Sequence, residues 1–126
     1  MMRKSVSSIL TIAGAFTMAL SSLTLTLVMS ETASAASAAE QGKKLAFDRK
    51  KGNCLACHKI VGGSLPGNIG PALADMKTRF PNKADLRAQI WDPTANNANT
   101  IMPPFGKHRI LSEKEIDLVV EFVHSL

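Results

Sequence analysis

The chain has 126 residues and a formal net charge of +5, and 45% of its residues are hydrophobic. This length allows one small domain and excludes a multidomain enzyme. The chain contains two cysteines, which are too few for a zinc site built from cysteines alone.

The first 35 residues predict a secretory signal peptide. Arg3 and Lys4 make the start positive, residues 5–30 carry no charge, and small residues at 33–38 offer cleavage sites. The uncharged stretch is long enough to remain as a membrane anchor, although its Ser and Thr residues argue against a stable span. We expect cleavage near residue 35, which leaves a domain over 36–126 with no membrane attachment.

The domain begins with a predicted helix over residues 40–51, which Gly52 and Asn53 end. Six basic residues against the single acid Asp48 make this region positive: Lys43, Lys44, Arg49, Lys50, Lys51 and Lys59. They form either a solvated helix face or a positive rim that orients an acidic partner.

The segment Cys54-Leu55-Ala56-Cys57-His58 follows this helix directly. Two cysteines spaced C-x-x-C with a histidine next to them predict covalent attachment of one haem c. Each thiol of Cys54 and Cys57 adds to one haem vinyl group, and His58 then lies under the iron as its proximal ligand. The covalent group would also supply apolar surface that so short a chain otherwise lacks.

Other interpretations of this segment fit less well. A structural zinc site needs four ligands, and a thioredoxin-type pair needs a βαβ setting, whereas the surrounding pattern is helical. A disulfide between Cys54 and Cys57 would leave His58 without a role. The motif further predicts export, because bacterial c-type haem is attached outside the cytoplasm, and it makes nucleic acid an improbable partner.

Glycine and proline dominate residues 60–72, which therefore predict a loop. Pro71 fits the first turn of a short helix that ends near Phe80. Leu73, Met76 and Phe80 share one face of that helix. We interpret Met76 as a core residue, although its sulfur is a rival ligand for the iron.

A second short helix is predicted from Asn82 to Trp91. Asn82 is a suitable N-cap, Asp85 occupies the N3 position, and Asp92-Pro93 ends the helix. Trp91, the single tryptophan, either fills the core or contacts a haem propionate.

Residues 93–110 predict an irregular loop that contains Met102. Two prolines behind Met102 stiffen the backbone, so its sulfur is the favoured second axial ligand. His108 lies six residues further on and keeps bis-histidine ligation open. Histidine and methionine together leave no open position on the iron, which suits outer-sphere electron transfer.

The last helix has the clearest sequence pattern. Ser112 and Glu115 form a capping box, and the apolar face repeats at i, i+3, i+4 and i+7 through Ile116, Val119, Val120 and Val123. His124 lies in the last turn, where a positive charge suits the helix dipole. The expected fold class is all-α, with short helices and long loops packed around one covalent haem.

Four segments together resemble the SoxX family of small monohaem cytochromes: residues 52–58, 66–71, 86–92 and 102–106. The resemblance implies a class I-like cytochrome c domain with Cys54 and Cys57 as attachment sites and His58 and Met102 as axial ligands. By the same analogy the Gly70-Pro71 segment accepts the hydrogen bond of the ligand imidazole, and Trp91 contacts a propionate.

The SoxX resemblance also implies a periplasmic heterodimer with a larger cytochrome, SoxA. The pair acts as an L-cysteine S-thiosulfotransferase, which joins thiosulfate to a cysteine of a carrier protein and passes electrons to a downstream cytochrome c. Because Cys54 and Cys57 are both used by the haem, we expect no catalytic residue in this chain, which is then the electron outlet.

Two other functions remain open. The chain could be a free-standing cytochrome c that shuttles electrons to an oxidase. It could also be a haem sensor with a labile ligand, which carbon monoxide binding to the reduced protein would reveal.

Overall fold

A computed structural model describes residues 37–126, and the predicted signal peptide lies outside this part. Four helices follow in order: α1 over 37–47, α2 over Met76–Arg79, α3 over Lys83–Trp91 and α4 over Glu113–His124. Within residues 37–126 no β-strand forms, and one isolated bridge pairs Ile60 with Leu73. The all-α fold class is therefore confirmed. None of the helices in the described part is long and apolar enough to cross a membrane.

Helix α4 forms as its sequence pattern predicts. The Ser112 side chain accepts from the N–H of Glu115, and the Glu115 side chain accepts from the N–H of Ser112, which completes the capping box. The four residues of the predicted apolar face are all buried, together with Phe122. This face is the centre of the hydrophobic core.

Helix α1 packs closely against α4 at a glycine. A Cβ atom added to Gly42 would lie 1.9 Å from the carbonyl oxygen of Leu118, so only glycine permits this approach. Further along, the rings of Phe47 and Phe122 meet edge to face, with centroids 5.8 Å apart and planes at 83°. Since Gly42 is in a helix interior, where glycine is unfavourable, the close contact explains its presence.

Helix α3 lies against α4 through apolar and charged contacts. Leu86 and Ile90 are buried, while Arg87 pairs with Asp117 at 2.7 Å and Lys83 pairs with Glu121 at 2.6 Å. As predicted, the Asn82 side chain caps α3, accepting from Ala84 N–H at 3.0 Å. The predicted end at Asp92-Pro93 also holds, because a 3₁₀ turn over Pro93–Ala95 follows.

Two predicted helices have other bounds in the structure. Helix α1 ends at residue 47 and not 51, because the Asp48 carbonyl accepts from the N–H groups of Lys51 and Asn53 and closes a turn. The helix predicted over 71–80 forms only at Met76–Arg79. Its first half is extended because Leu73 N–H bonds to the Lys59 carbonyl, and Asp75 then turns with φ at 53°.

The buried core surrounds one side of a cavity in the middle of the domain. Residues from every helix contribute to it, and α2 is tied in by a hydrogen bond from Met76 N–H to the Leu126 carbonyl at 3.0 Å. The hydrophobic residues in this core are Ala46, Ile60, Met76, Leu86, Ile90, Phe105, Leu111, Ile116, Val119, Val120, Phe122 and Val123.

Candidate functional site

The two cysteines lie on a short 3₁₀ turn over Cys54–Ala56. Asn53 enters the turn with φ at 47°, a conformation that asparagine tolerates better than most residues. The Cys54 carbonyl accepts from the N–H groups of Cys57 at 3.2 Å and His58 at 2.9 Å. This compact turn places both sulfurs and the imidazole beside one cavity, and the two thiols are not joined as a disulfide.

The glycine-rich loop over 60–72 folds back on this turn. Gly67 N–H bonds to the Leu55 carbonyl at 2.8 Å, and Gly70 N–H bonds to the Cys57 carbonyl at 2.8 Å. A Cβ atom at Gly67 would lie 2.0 Å from the Ala56 carbonyl oxygen, so the loop approaches the turn as closely as a backbone can. The loop is therefore a second layer that holds the cysteine turn in place.

The His58 imidazole is fixed by the end of this loop. Its Nδ1 lies 2.7 Å from the carbonyl oxygen of Pro71, and a carbonyl can only accept, so Nδ1 carries the proton. A Cβ atom at Gly70 would lie 2.4 Å from His58 Cε1, so the ring packs directly on the glycine backbone. In the neutral imidazole Nε2 is then the nitrogen without a proton, and this is the nitrogen that can bind a metal.

The cavity beside these residues has a volume of about 540 Å³, within the range of about 300–1,000 Å³ that is typical of ligand sites. Cys54, Cys57, His58 and Met102 all line it. The rest of its wall is largely apolar and comprises Leu73, Met76, Phe80, Leu86, Ile90, Ile101, Phe105, Ile110, Val119 and Val123, among others. Size, apolar wall and donor set fit a haem attached at the two cysteines.

Met102 reaches this cavity from a loop that is held on both sides. Its N–H bonds to the Thr100 side-chain oxygen at 3.2 Å. Downstream, the N–H groups of Gly106 and Lys107 both bond to the Trp91 carbonyl at 3.2 Å. A Cβ atom at Gly106 would lie 2.1 Å from Cε3 of the Trp91 indole, so the loop is pressed against that ring.

A salt bridge at the end of α3 reinforces this anchor. Lys107 Nζ lies 2.7 Å from Asp92 Oδ2, and this hydrogen bond, assisted by Thr94, lowers the pKa of Asp92. The carboxylate is therefore charged throughout the neutral range and holds the lysine behind the Met102 loop.

Trp91 packs against the backbone of the Met102 loop, where its carbonyl accepts from the N–H groups of Gly106 and Lys107. Its indole is covered by Gly106 on the loop side, and the Arg87 guanidinium lies 5.4 Å from the ring centroid. Among residues 37–126, the cavity wall does not include Trp91. Trp91 thus supports the Met102 loop in this structure, and a propionate contact stays a prediction.

The alternative ligands make other contacts, although Met76 also lines the cavity. Met76 is 2% exposed, and the Arg79 guanidinium donates to its sulfur at 3.2 Å. Nε2 of His124 lies 3.0 Å from the Phe80 carbonyl oxygen, and His108 is exposed and lines no part of the cavity as the described residues define it. Met102, which lies in a loop and lines the cavity, therefore stays the predicted second ligand of the iron.

Electrostatics differ between the attachment site and the cavity rim. Burial raises the pKa of the Cys54 thiol to about 11, so the position favours a neutral sulfur, and a thioether is neutral. Arg49, Lys50 and Lys51 line the rim, and Lys51 is paired with Glu115 at 2.8 Å. Within residues 37–126, Arg49 and Lys50 form no ion pair, so they are the unpaired cations of the predicted positive rim that line the cavity.

A separate metal site is not present in the described part of the chain, where no group of three His, Cys, Asp or Glu side chains converges. Sequence reasoning missed three residues that shape the site: Thr100, Gly106 and Arg79. The spacing Thr100-x-Met102 could have indicated a side-chain turn, whereas no local pattern marks the roles of Gly106 and Arg79.

Residues 39–126 match the cytochrome c family. The chain belongs to this family, so these residues form a c-type cytochrome domain that carries covalent haem c, and membership of the family implies electron transfer. Bound haem c supplies a one-electron couple at its iron. Membership of the family agrees with the predicted export.

A curated relative is an uncharacterized lipoprotein of Aquifex aeolicus (strain VF5), which is 33% identical over 79 residues. The match covers 60% of this chain and 37% of the relative, so the chain spans little more than a third of that protein's length.

Proposed function

We propose that this cytochrome is the electron-transfer subunit of a periplasmic thiosulfate-oxidising complex of the SoxAX type. The observation that supports an outlet role best is that His58 and Met102 line one cavity and are both held by their own loops. In this assignment His58 Nε2 and the Met102 sulfur are the axial ligands. His58 and Met102 would together hold the iron and leave no place on it for a substrate, which suits outer-sphere electron transfer.

The pair of proposed ligands, His58 and Met102, suits a haem iron that must be easily reduced. The Met102 thioether is neutral and favours the ferrous state relative to a second histidine. Thr100 and the two prolines that follow Met102 limit movement of the sulfur, which matters because a thioether binds iron weakly. The chain therefore accepts an electron with little rearrangement of its own residues.

The number of cysteines indicates which subunit would carry out the sulfur chemistry. Joining thiosulfate to a cysteine forms a sulfur–sulfur bond and releases one proton and two electrons. Cys54 and Cys57 are used for attachment, and the chain has no third cysteine. The sulfur chemistry must then occur on a larger SoxA-type partner and a carrier protein, and this chain removes the electrons one at a time.

The cavity rim offers a surface for such a partner. Ile69 and Ile101 are 64% and 73% exposed at the rim, beside the free cations Arg49 and Lys50. Apolar residues next to unpaired cations suit a partner with an apolar patch and acidic residues. A lipoprotein relative agrees with a location in the cell envelope.

Co-expression with a SoxA-type cytochrome, in a host that matures c-type cytochromes, tests this proposal. We expect a stable heterodimer, and we expect thiosulfate to reduce this chain's haem only when the partner and the carrier protein are present. The variant with Arg49→Gln and Lys50→Gln should associate more slowly, with a weaker dependence on salt. Lys77→Gln, a charge change on α2, is the matched control.

The alternative function is a free-standing carrier of electrons to an oxidase. Three results would favour that function over the complex. The holoprotein would not bind the SoxA-type partner, thiosulfate would not reduce its haem, and an oxidase would oxidise it rapidly. Tight carbon monoxide binding to the reduced protein at neutral pH would instead indicate a sensor.

A further inference from the structure

The Arg79 guanidinium joins α2 to the loop that holds His58. Its Nη1 donates to the Ala72 carbonyl at 2.9 Å and to the Met76 sulfur at 3.2 Å. Ala72 directly follows Pro71, whose carbonyl accepts from His58 Nδ1 at 2.7 Å. A surface cation thus lies one residue away from the acceptor of the proposed proximal ligand.

The peptide group that follows Ala72 is held at both ends. Its carbonyl accepts from Arg79, and its N–H, which belongs to Leu73, bonds to the Lys59 carbonyl at 2.9 Å. A peptide group is planar and rigid, so two fixed ends determine its orientation. The ring of Pro71 restricts the backbone before it. The Pro71 carbonyl is therefore located between two fixed points.

Helix α2 itself is held firmly enough to serve as a support. Met76 is buried, its N–H bonds to the Leu126 carbonyl, and Arg79 N–H bonds to the Asp75 carbonyl at 3.1 Å. The guanidinium therefore transmits the position of a buried element to an exposed loop, since Pro71 and Ala72 both lie at the surface.

We propose that Arg79 is a positioning residue that keeps the Pro71 carbonyl in line with His58 Nδ1 and thereby sets the reduction potential. This proposal rests on the proposed role of His58 as the proximal ligand. A strong hydrogen bond from Nδ1–H makes the imidazole a better donor and favours the ferric state. Loss of Arg79 weakens that bond and raises the potential.

Loss of the Arg79 charge changes the reduction potential in the opposite direction to loss of its hydrogen bond. The two effects can therefore be separated by a variant that loses only a charge. Removing a cation near the site favours the ferric state and lowers the potential. Lys77, on the same helix, forms no ion pair within residues 37–126, so Lys77→Met removes one charge from α2 and leaves the contacts of Arg79 with Ala72 and Met76 in place. Arg79→Lys keeps the charge but lacks the planar guanidinium whose Nη1 donates to both the Ala72 carbonyl and the Met76 sulfur.

The experiment compares holoproteins of Arg79→Met, Arg79→Lys and Lys77→Met with the wild type. Two quantities are measured: the reduction potential and, by NMR of the reduced protein, the rate at which His58 Nδ1–H exchanges with solvent. For Arg79→Met we expect a potential above that of Lys77→Met. We also expect exchange to be about tenfold faster than in the wild type, the factor for losing one hydrogen bond to a charged donor. Arg79→Lys should show a smaller increase than Arg79→Met in both the reduction potential and the exchange rate.

Equal potentials and equal exchange rates in Arg79→Met and Lys77→Met would overturn the proposal and make Arg79 a surface cation only. If Arg79→Met does not yield folded protein, an exchange rate in Arg79→Lys equal to that of the wild type overturns it. Failure of the proposed ligation is seen separately, because the wild type would then lack a His58 signal shifted by the haem. Neither readout involves thiosulfate or a partner.

Discussion

Single glycines determine how closely the backbone approaches the His58 ring and the indole behind the Met102 loop. Gly70 lies against the His58 ring, and Gly106 lies against the Trp91 indole behind the Met102 loop. Any side chain at either position overlaps a ring that has little room to move. The two loops therefore hold the ligands by backbone contact as well as by hydrogen bonds.

Gly106→Ala should loosen the Met102 loop. The new Cβ would lie 2.1 Å from the indole, so either the ring or the loop must shift. We expect carbon monoxide to bind the reduced variant at neutral pH, where the wild type binds little. Asn99→Ala, an exposed change in the same loop, is the control. Equal carbon monoxide binding in all three proteins would contradict the role given to Gly106.

Met102→Ala should abolish the long-wavelength absorption band of ferric haem with a thioether ligand, while the covalent haem remains. Met76→Ala is the matched control, because it removes the other methionine at the cavity. It should keep the band and lose about 2–5 kcal/mol of unfolding free energy, since Met76 is a buried core residue. The opposite pattern would identify Met76 as the ligand.

At the residue scale, functional residues could be predicted where they lie next to one another in the sequence. Cys54, Cys57 and His58 are adjacent, so their pattern is visible in the sequence. The role of Gly106 depends on Trp91, fifteen positions away, and the hydrogen bond of Arg79 to Ala72 follows only from the place where α2 begins. No local signal encodes either contact.

Helix boundaries were predictable where side chains cap the helix and wrong where tertiary hydrogen bonds compete. Helix α4 begins at its capping box, and α3 begins after Asn82. The helix predicted from Pro71 is shortened because residues 71–73 bond to His58, Arg79 and Lys59. Propensity alone could not indicate those partners.

The Glu115 carboxylate at the start of α4 should make the free energy of unfolding depend on pH. Hydrogen bonds from Lys51 and Ser112 lower the pKa of Glu115 from 4.5 to about 2. The carboxylate then stabilises the fold fully above pH 4.5, and this contribution is lost as the pH falls towards 2. The direction follows because the folded state has the lower pKa.

Glu115→Gln should cost about 1 kcal/mol of unfolding free energy at pH 7, the value of a cap that remains partly in water. The difference from the wild type should shrink between pH 4.5 and 2. Denaturant unfolding at several pH values measures it, with Glu113→Gln as the control because that side chain is largely exposed. A difference that does not depend on pH would show that the Glu115 charge contributes nothing.

Across the whole molecule, one set of side chains serves both as core and as cavity wall. Met76, Leu86, Ile90, Phe105 and Val119 are buried and also line the cavity. In a chain of this size the cofactor therefore replaces part of the hydrophobic core. The sequence predicted this dependence from chain length, but not which side chains would share the two roles.

The variant with Cys54→Ala and Cys57→Ala should fail to form a stable domain. Without attachment, the shared side chains lose the apolar body that covers them. We expect a colourless chain with non-cooperative thermal unfolding, whereas the wild type keeps its colour through acid–acetone extraction and unfolds in one transition. A cooperative transition in the variant would contradict this dependence.

The double use of these side chains has a consequence for biogenesis. A polypeptide whose interior is completed only by attachment remains open to proteases and available to the ligation machinery until that event. Maturation should then also act as quality control, because we expect a molecule that escapes ligation to be degraded. The amount of protein that accumulates in a cell should follow the supply of porphyrin more closely than the supply of messenger RNA.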